Sequence, residues 1–228
     1  MSDDLASVQH ASWDVNADAW TRAVRSGAIA SRRRGTDAAI VAACAVQPGE
    51  RVLDVGCGEG WLTRALTAAG GDVLGVDGAA ALVDAAREAG GGRFEVASYA
   101  TLSAATTAAP GPFDLIVCNF ALLDADLGPL LRGLRARLAP SGRLVIQTVH
   151  PVATAGTEGY REGWREEIFA AFGGEFRAPM PWYYRTFEGW VAALRKAGLT
   201  ISMLQEPRDA DGNVLSLVWV CTAPPRHV

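Results

Sequence analysis

The chain has 228 residues, a length that fits one α/β domain with a modest insertion. Half of the residues are apolar and a fifth are charged, so the composition excludes general disorder. The formal net charge of -4 and the isoelectric point near 5.4 exclude a global attraction for nucleic-acid backbones, which are bound mainly through Lys and Arg.

Residues 1–50 are predicted to form N-terminal helices, one around Asp14–Arg25 and one around Thr36–Ala45, with the arginine-rich segment 31–35 between them. The first ten residues lack the basic start and apolar run of a signal peptide, and no segment approaches the roughly 18 apolar residues of a membrane span. The four cysteines form no CxxC pair, which argues against a metal site. We therefore expect a cytoplasmic protein that binds neither a metal nor a membrane.

From residue 51 onward, β-branched runs alternate with segments of helical period, the pattern of parallel strands joined by crossover helices. Strands are predicted at 51–55, 72–76, 93–97, 113–119 and 142–149. Helices are predicted at Leu62–Ala69, Leu82–Ala89 and Leu127–Leu138, the last with Asp126 as its N-cap. Because the strands are almost continuously apolar, we expect helices on both faces of the sheet.

After residue 150 the pattern changes, and residues 151–185 are predicted to be an aromatic-rich insertion, too long for an ordinary connection. A short helix is expected within it at about 161–172. Regular structure then returns as a helix that includes Phe187, Trp190 and Leu194. Strands near 199–205 and 214–222 follow, joined as a hairpin. The main domain is thus expected to span 51–228.

The strongest motif is ValLeuAspValGlyCysGlyGluGly at 52–60, where a predicted strand runs into three glycines at alternate positions. Glycine there lets a ligand lie against the main chain and the positive end of the next helix. A dinucleotide-binding GxGxxG would require glycine at position 61, where this chain has Trp61. This difference counts against a nicotinamide-dependent oxidoreductase.

A carboxylate follows at the end of the second predicted strand, where Asp77 stands 17 residues after Gly60. A carboxylate accepts two hydrogen bonds from a ribose diol, and such charge-assisted bonds are strong. Asp77 is therefore the predicted ribose ligand.

Together, the motifs resemble those of class I methyltransferases that depend on S-adenosylmethionine, and specifically the ubiquinone/menaquinone methyltransferase-like small-molecule group. The resemblance covers roughly residues 50–150, through VLDVGCGEG, LGVD, FDLIVCNFALLD and LAPSGRLVIQTVHP. It implies a Rossmann-like α/β fold with a seven-stranded, mostly parallel sheet, an antiparallel last strand and helices on both faces. It also implies S-adenosylmethionine as the cofactor.

The resemblance implies a set of cofactor-binding residues. The methionine part of the cofactor would lie against Asp54 and the turn residues Gly56, Cys57, Gly58, Gly60 and Trp61. Asp77 and Gly78 would lie by the ribose, and Asn119 and Phe120 would face the methionine part and the reacting methyl.

Two further parts of the site follow from the same resemblance. In this family an acidic residue after the third strand usually meets the adenine, whereas this chain offers Ser98 and Tyr99. The N-terminal segment, with Trp20 and a run of arginines, resembles cap helices that close over the cofactor. A guanidinium suits a carboxylate, so each of Arg25, Arg32, Arg33 and Arg34 is a candidate to hold the methionine carboxylate, with Arg33 chosen for the site; the alternative is a solvated charged face.

His150 and Tyr184 are the candidate catalytic residues. His150 follows the fifth predicted strand at the edge where α/β sheets bind ligands, and its unperturbed pKa of about 6.5 suits a general base. The alternative is a loop histidine bonded to the backbone. Tyr184 ends the insertion, which is expected to form a lid over the acceptor; the alternative is aromatic packing.

The predicted function is methyl transfer to oxygen, nitrogen or carbon of a small-molecule acceptor. Nucleic acid is excluded as a substrate because CysAsnPheAlaLeu (118–122) lacks the Asn/Asp-Pro-Pro-aromatic turn of enzymes that methylate base amines. A methyltransferase-like protein that binds the nucleoside without catalysis is the main alternative. The aromatic residues of the insertion are equally compatible with covering a second subunit in a homodimer.

Overall fold

The computed structural model describes residues 2–104, 108–172 and 175–224. The strands are β1 (Arg51–Val55), β2 (Asp72–Asp77), β3 (Arg93–Val96), β4 (Phe113–Asn119), β5 (Leu138–Thr148), β6 (Gly163–Glu167), β7 (Met180–Tyr184), β8 (Thr200–Gln205) and β9 (Leu217–Thr222). The helices are α1 (Ser2–Arg25), α2 (Asp37–Cys44), α3 (Trp61–Ala68), α4 (Ala80–Ala89), α5 (Tyr99–Ser103), α6 (Gly128–Ala136) and α7 (Phe187–Lys196). A π-helical turn, Arg32–Thr36, precedes α2.

The main sheet has seven strands in the order β3-β2-β1-β4-β5-β9-β8. The first five of these strands run parallel to one another, whereas β9 is antiparallel to both β5 and β8. The predicted fold class, a seven-stranded and mostly parallel sheet with an antiparallel last strand, is therefore confirmed.

Buried side chains on the two faces of the sheet explain why helices cover both. Alternate residues of β1, β4 and β5 pack against α6 and α7 on one face. Their neighbours along the strands pack against α2 and α3 on the other face, with Ile40 and Leu66 fully buried. Helix α2 thus belongs to the core of the main domain, and α1 is the part of residues 1–50 that lies over the sheet edge.

Helix α1 begins at Ser2, twelve residues before the predicted start at Asp14. The added turns are held by polar side chains rather than by an apolar stripe, because Gln9 Nε2 donates to the carbonyl of Pro181 at 2.8 Å. Ser12 Oγ donates to the carbonyl of Ala178 at 3.3 Å. Partners so distant in sequence leave no periodic signal in residues 2–13.

The helix predicted at about 161–172 is wrong, because the structure has an antiparallel hairpin of β6 and β7 in the insertion. Pairing with the aromatic strand β7 overrides the local helical pattern, and the Arg165 guanidinium stacks over the Tyr184 ring at 3.4 Å. Phe169 has a φ of 59°, a conformation that a helix does not continue through.

Helix α6 ends at Ala136, and Leu138, predicted as helical, begins β5. Leu127 flanks the start of the helix in place of Asp126. The Asp126 carboxylate still accepts the Gly128 N–H at 2.9 Å, so it satisfies one of the free donors of the first turn.

Gly60 is expected to be essential for stability, because its φ is 86° and an added Cβ would lie 2.6 Å from Phe94 Cε1. Gly60→Ala should lower the free energy of unfolding by about 2–4 kcal/mol, from left-handed strain plus overpacking. Gly49 is the matched control, since its φ is 83° but an added Cβ would meet nothing within 4 Å. Urea denaturation of both variants measures the difference, and equal losses would show that contact with Phe94 does not matter.

Candidate functional site

The glycine turn, residues 56–60, leads from β1 into α3 at the carboxyl edge of the sheet. The main-chain N–H groups of Gly56 and Cys57 donate to the carbonyl of Val76 at 2.8 and 3.0 Å, which fixes the turn to the end of β2. Gly56 has a φ of 73°, and a Cβ there would overlap the Cβ of Ala121. Glycine is needed at this position because the turn and the loop after β4 pass so close together.

Asp77, the predicted ribose ligand, lies at the end of β2 directly beside this turn. Its Oδ2 accepts the Gly58 N–H at 2.9 Å and its Oδ1 accepts the Ala79 N–H at 2.8 Å. Burial raises the pKa of Asp77, and these two N–H bonds act in the opposite direction. A carboxylate has about four lone-pair sites, so both oxygens can still accept hydroxyl donors.

Asp54 lies in β1, beneath the turn, and is 1% exposed. Its Oδ2 accepts the hydroxyl of Thr63, on α3, at 2.7 Å. Burial raises the pKa of Asp54 to about 7. The contact of Asp54 with the methionine part of the cofactor stays a prediction.

Asn119 and Phe120 lie where β4 reaches the same edge. The Asn119 Oδ1 is buried and has no hydrogen-bond partner among the described residues. Phe120 adopts a φ of 52°, and its N–H donates to the carbonyl of Gln147 at 2.8 Å. A buried acceptor without a partner beside a strained residue is a common feature of ligand sites.

Helix α1 brings Trp20 to the glycine turn, with the indole Nε1 3.7 Å from the position of a Cβ on Gly58. Trp61, at the start of α3, is covered by the Arg32 guanidinium at 4.4 Å from its ring centroid. Arg33, by contrast, is exposed and packs beside Gly27. The structure therefore brings Trp20 and Trp61 to the turn, while the contact of Arg33 with the methionine carboxylate stays a prediction.

Ser98 and Tyr99 lie after β3, where the adenine was predicted. The Ser98 hydroxyl accepts the Thr101 N–H at 3.1 Å and so caps α5. The Tyr99 hydroxyl donates to the carbonyl of Ala121. Gly78 faces His10 of α1, whose Cε1 lies 3.5 Å from the position of an added Cβ.

Two residues of the predicted cofactor site contribute to packing. Cys57 packs with Val83, Ala86 and Phe94, so its side chain points into a small hydrophobic cluster. Gly60 borders the same cluster. Any ligand contact at these two positions would come from the main chain.

The two candidate catalytic side chains have their polar atoms engaged. His150 Nδ1 accepts the Ala153 N–H at 3.2 Å, which leaves the proton on Nε2, 3.0 Å from Glu206 Oε1. The Tyr184 hydroxyl donates to the carbonyl of Pro151 at 2.5 Å. These bonds are compatible with the non-catalytic alternatives, in which His150 is a loop histidine bonded to the backbone and Tyr184 contributes to packing. The catalytic roles of both residues stay predictions.

The insertion and α1 pack together as one cover over the sheet edge. Asn16 is 1% exposed; its Nδ2 donates to the carbonyl of Ala178 at 2.7 Å and its Oδ1 accepts the Arg177 N–H at 2.7 Å. Rings from the two segments are in contact within one cluster of Trp13, Trp20, Phe169, Phe172 and Phe176. The aromatic residues of the insertion thus have partners within the chain.

Three residues at this edge were not predicted from the sequence as part of the site: His10, Glu59 and Gln147. Gln147 is 1% exposed in β5, is in register with Asn119, and has a buried Oε1 without a partner among the described residues. A polar residue that interrupts the apolar run of β5 at its carboxyl end was an available signal. No feature of the sequence points to His10, because its position at this edge depends on the unexpected length of α1.

Among the described residues, no helix is both long and apolar enough to span a membrane.

Residues 52–142 match the family described as a methyltransferase domain. The chain is similar to the ribosomal protein L11 methyltransferase of Ralstonia nicotianae, with 35% identity over 64% of this chain and 43% of the relative. It is also similar to the ubiquinone biosynthesis O-methyltransferase of Xanthomonas campestris pv. campestris, with 36% identity over 50% of this chain and 49% of the relative. The chain thus spans less than half the length of either relative.

Among solved structures, an S-adenosylmethionine-dependent methyltransferase from Mesorhizobium loti aligns with a TM-score of 0.63 and 25% identity, over 81% of this chain and 95% of that one. Residues 52–142 thus match a methyltransferase domain, and the chain is similar in fold to an S-adenosylmethionine-dependent methyltransferase of known structure.

Proposed function

We propose that the protein transfers a methyl group from S-adenosylmethionine to oxygen, nitrogen or carbon of a small-molecule acceptor. The observation that carries the proposal is the pairing of Asp77 with the Gly58 N–H at 2.9 Å, which holds a carboxylate beside the glycine turn. Asn119, with its unpartnered Oδ1, lies at the end of β4, two strands from β2. A nucleoside with an amino-acid tail requires a carboxylate that binds the ribose, a glycine-rich turn that the tail can approach, and an acceptor for the tail's amino group.

The residues present fit this cofactor. Asp77 and Gly78 would hold the ribose, and the main chain of the glycine turn would face the methionine part. Asn119 Oδ1 would gain a donor that it lacks within the described protein. The bound cofactor supplies an electrophilic methyl group on a sulfonium, which needs a nucleophile aligned in line with it.

The chain's own part is to align the acceptor and exclude water. The cover of α1 and the insertion serves this purpose, since Asn16 ties the two segments together. A cover built from aromatic side chains of α1 and the insertion favours a small, partly apolar acceptor over a folded protein. The ubiquinone biosynthesis relative supports this choice, whereas the ribosomal protein L11 methyltransferases favour a protein acceptor as the second candidate.

Neither His150 nor Tyr184 is required by the proposal, because alignment and desolvation supply much of such a reaction. The location in the cytoplasm and a homodimer stay predictions.

The test is incubation of the protein with S-adenosylmethionine labelled in its methyl group and a cell extract split by size into metabolites and macromolecules. We expect label in the metabolite fraction. Label confined to protein would support the second candidate. No transfer to either fraction, with the cofactor bound, would favour the non-catalytic alternative.

A further inference from the structure

Glu59, within the glycine turn, is a buried carboxylate shared by two arginines. Its side chain is 1% exposed, and Oε2 lies 2.9 Å from Arg25 Nε and 2.7 Å from Arg64 NH2. The second oxygen, Oε1, is buried without a partner among the described residues. A charge so buried must keep a cationic partner, because an unpaired buried carboxylate is strongly destabilising.

The two arginines come from different parts of the fold. Arg64 lies on α3, which directly follows the turn, and its NH1 also donates to the main-chain carbonyl of Glu59 at 2.7 Å. Arg25 is the last residue of α1, and its NH2 donates to the carbonyl of Ala85, on α4, at 2.9 Å. Arg25 therefore joins α1 to the glycine turn and to α4, whereas Arg64 makes a local contact.

The contact of Arg25 holds down the segment of α1 that covers the turn. Trp20, one and a half helical turns before Arg25, packs with Ala79 and Leu82 and lies over Gly58. When the end of α1 lifts, Trp20 must leave Gly58. The ion pair thus ties down the segment that covers the region where the cofactor is proposed to bind.

The side chain of Arg25 is more exposed to water than that of Arg64, as a contact that opens and closes requires. Arg25 is 43% exposed and Arg64 is 26% exposed, so water can solvate Arg25 when it leaves Glu59. Arg64 remains on the same oxygen and keeps the carboxylate paired. Opening therefore does not leave a bare charge in the interior.

We propose that Arg25 is a positioning residue that latches α1 over the cofactor through Glu59, with Arg64 holding the carboxylate while the latch is open. The expected effect on the rate of cofactor release rests on the proposed function. The latch itself is a property of the free protein.

The test compares Arg25→Gln and Arg64→Gln with Arg22→Gln, an exposed arginine in the same last turn of α1, as control. In the unliganded protein, hydrogen exchange of the α1 amides should become about five- to tenfold faster in Arg25→Gln and stay within twofold in the other two variants. Arg25→Lys should restore part of the protection. Unchanged exchange in Arg25→Gln, or equal acceleration in Arg64→Gln, would overturn the latch.

A chase of labelled S-adenosylhomocysteine then measures the consequence. Release should be about five- to tenfold faster from Arg25→Gln, and no faster than wild type from Arg64→Gln, in which Glu59 keeps Arg25 as its sole arginine. Raising the salt concentration should accelerate release from the wild type more than from Arg25→Gln. If the wild type binds no S-adenosylhomocysteine, the proposed function fails, while hydrogen exchange still decides the latch.

Discussion

Replacement of Asp77 by alanine is expected to weaken the binding of S-adenosylhomocysteine by at least about 100-fold, since the two charge-assisted hydrogen bonds proposed between Asp77 and the ribose would contribute roughly 3 kcal/mol or more. The variant also removes the acceptor of the Gly58 and Ala79 N–H groups, so the glycine turn loses its side-chain link to β2 and keeps only the main-chain bonds to Val76. Asp77→Asn keeps one carbonyl oxygen and should show a smaller loss. Isothermal titration calorimetry measures all three proteins.

The matched control is Asp72→Asn, at the opposite end of the same strand. Asp72 is 53% exposed and pairs with Arg93 at 2.6 Å. Surface pairs of this kind contribute little, so binding should stay within about twofold of the wild type. If Asp77→Ala and Asp72→Asn bind the cofactor equally well, Asp77 is not the ribose ligand.

Replacement of Asp54 by asparagine is expected to stabilise the protein at alkaline pH. The folded-state pKa of Asp54 is raised from its ordinary value of 3.8 to about 7, so between these pH values the unfolded chain ionises Asp54 while the folded protein keeps it protonated. The resulting loss of stability in the wild type is on the order of 4 kcal/mol once the group is fully ionised. Asparagine carries no charge and can still accept the Thr63 hydroxyl.

The pH dependence follows from the direction of the shift. With the pKa raised on folding, the favourable contribution of the protonated group is fully present below about pH 4 and is lost as the pH rises through about 7. The advantage of Asp54→Asn should therefore grow by on the order of 2 kcal/mol between pH 5 and pH 8. Urea unfolding of both proteins at these pH values measures it, and a variant less stable than the wild type at pH 8 would contradict the origin given for the shift.

The central sheet was predictable because it depends on local patterns. Each parallel strand is a short apolar run, each crossover helix has its own periodicity, and glycine punctuates the first turn. The positions of Asp77 and Asn119 follow directly, because parallel strands present their carboxyl ends at one edge. These residues lie at strand ends whose register the core fixes.

The cover over that edge was not predictable in the same way. The β6–β7 hairpin forms where a helix was expected, because β7 supplies a partner strand that no local window contains. The first turns of α1 rest on contacts such as that of Gln9 with Pro181, 172 residues away. In the sequence, Glu59 is an ordinary polar residue of a turn, and its ion pairs with Arg25 and Arg64 are visible only in the structure. For His150, the sequence position suggested a general base, whereas in the structure both ring nitrogens already have hydrogen-bond partners.

The most direct test of the central claim is calorimetric titration of the folded wild-type protein with S-adenosylhomocysteine, accompanied by a thermal shift. We expect one site per chain and a higher melting temperature, since a ligand at 100 times its Kd stabilises a protein by about 2.7 kcal/mol. Absence of both heat and thermal shift would contradict the claim that Asp77 and the glycine turn form a cofactor site.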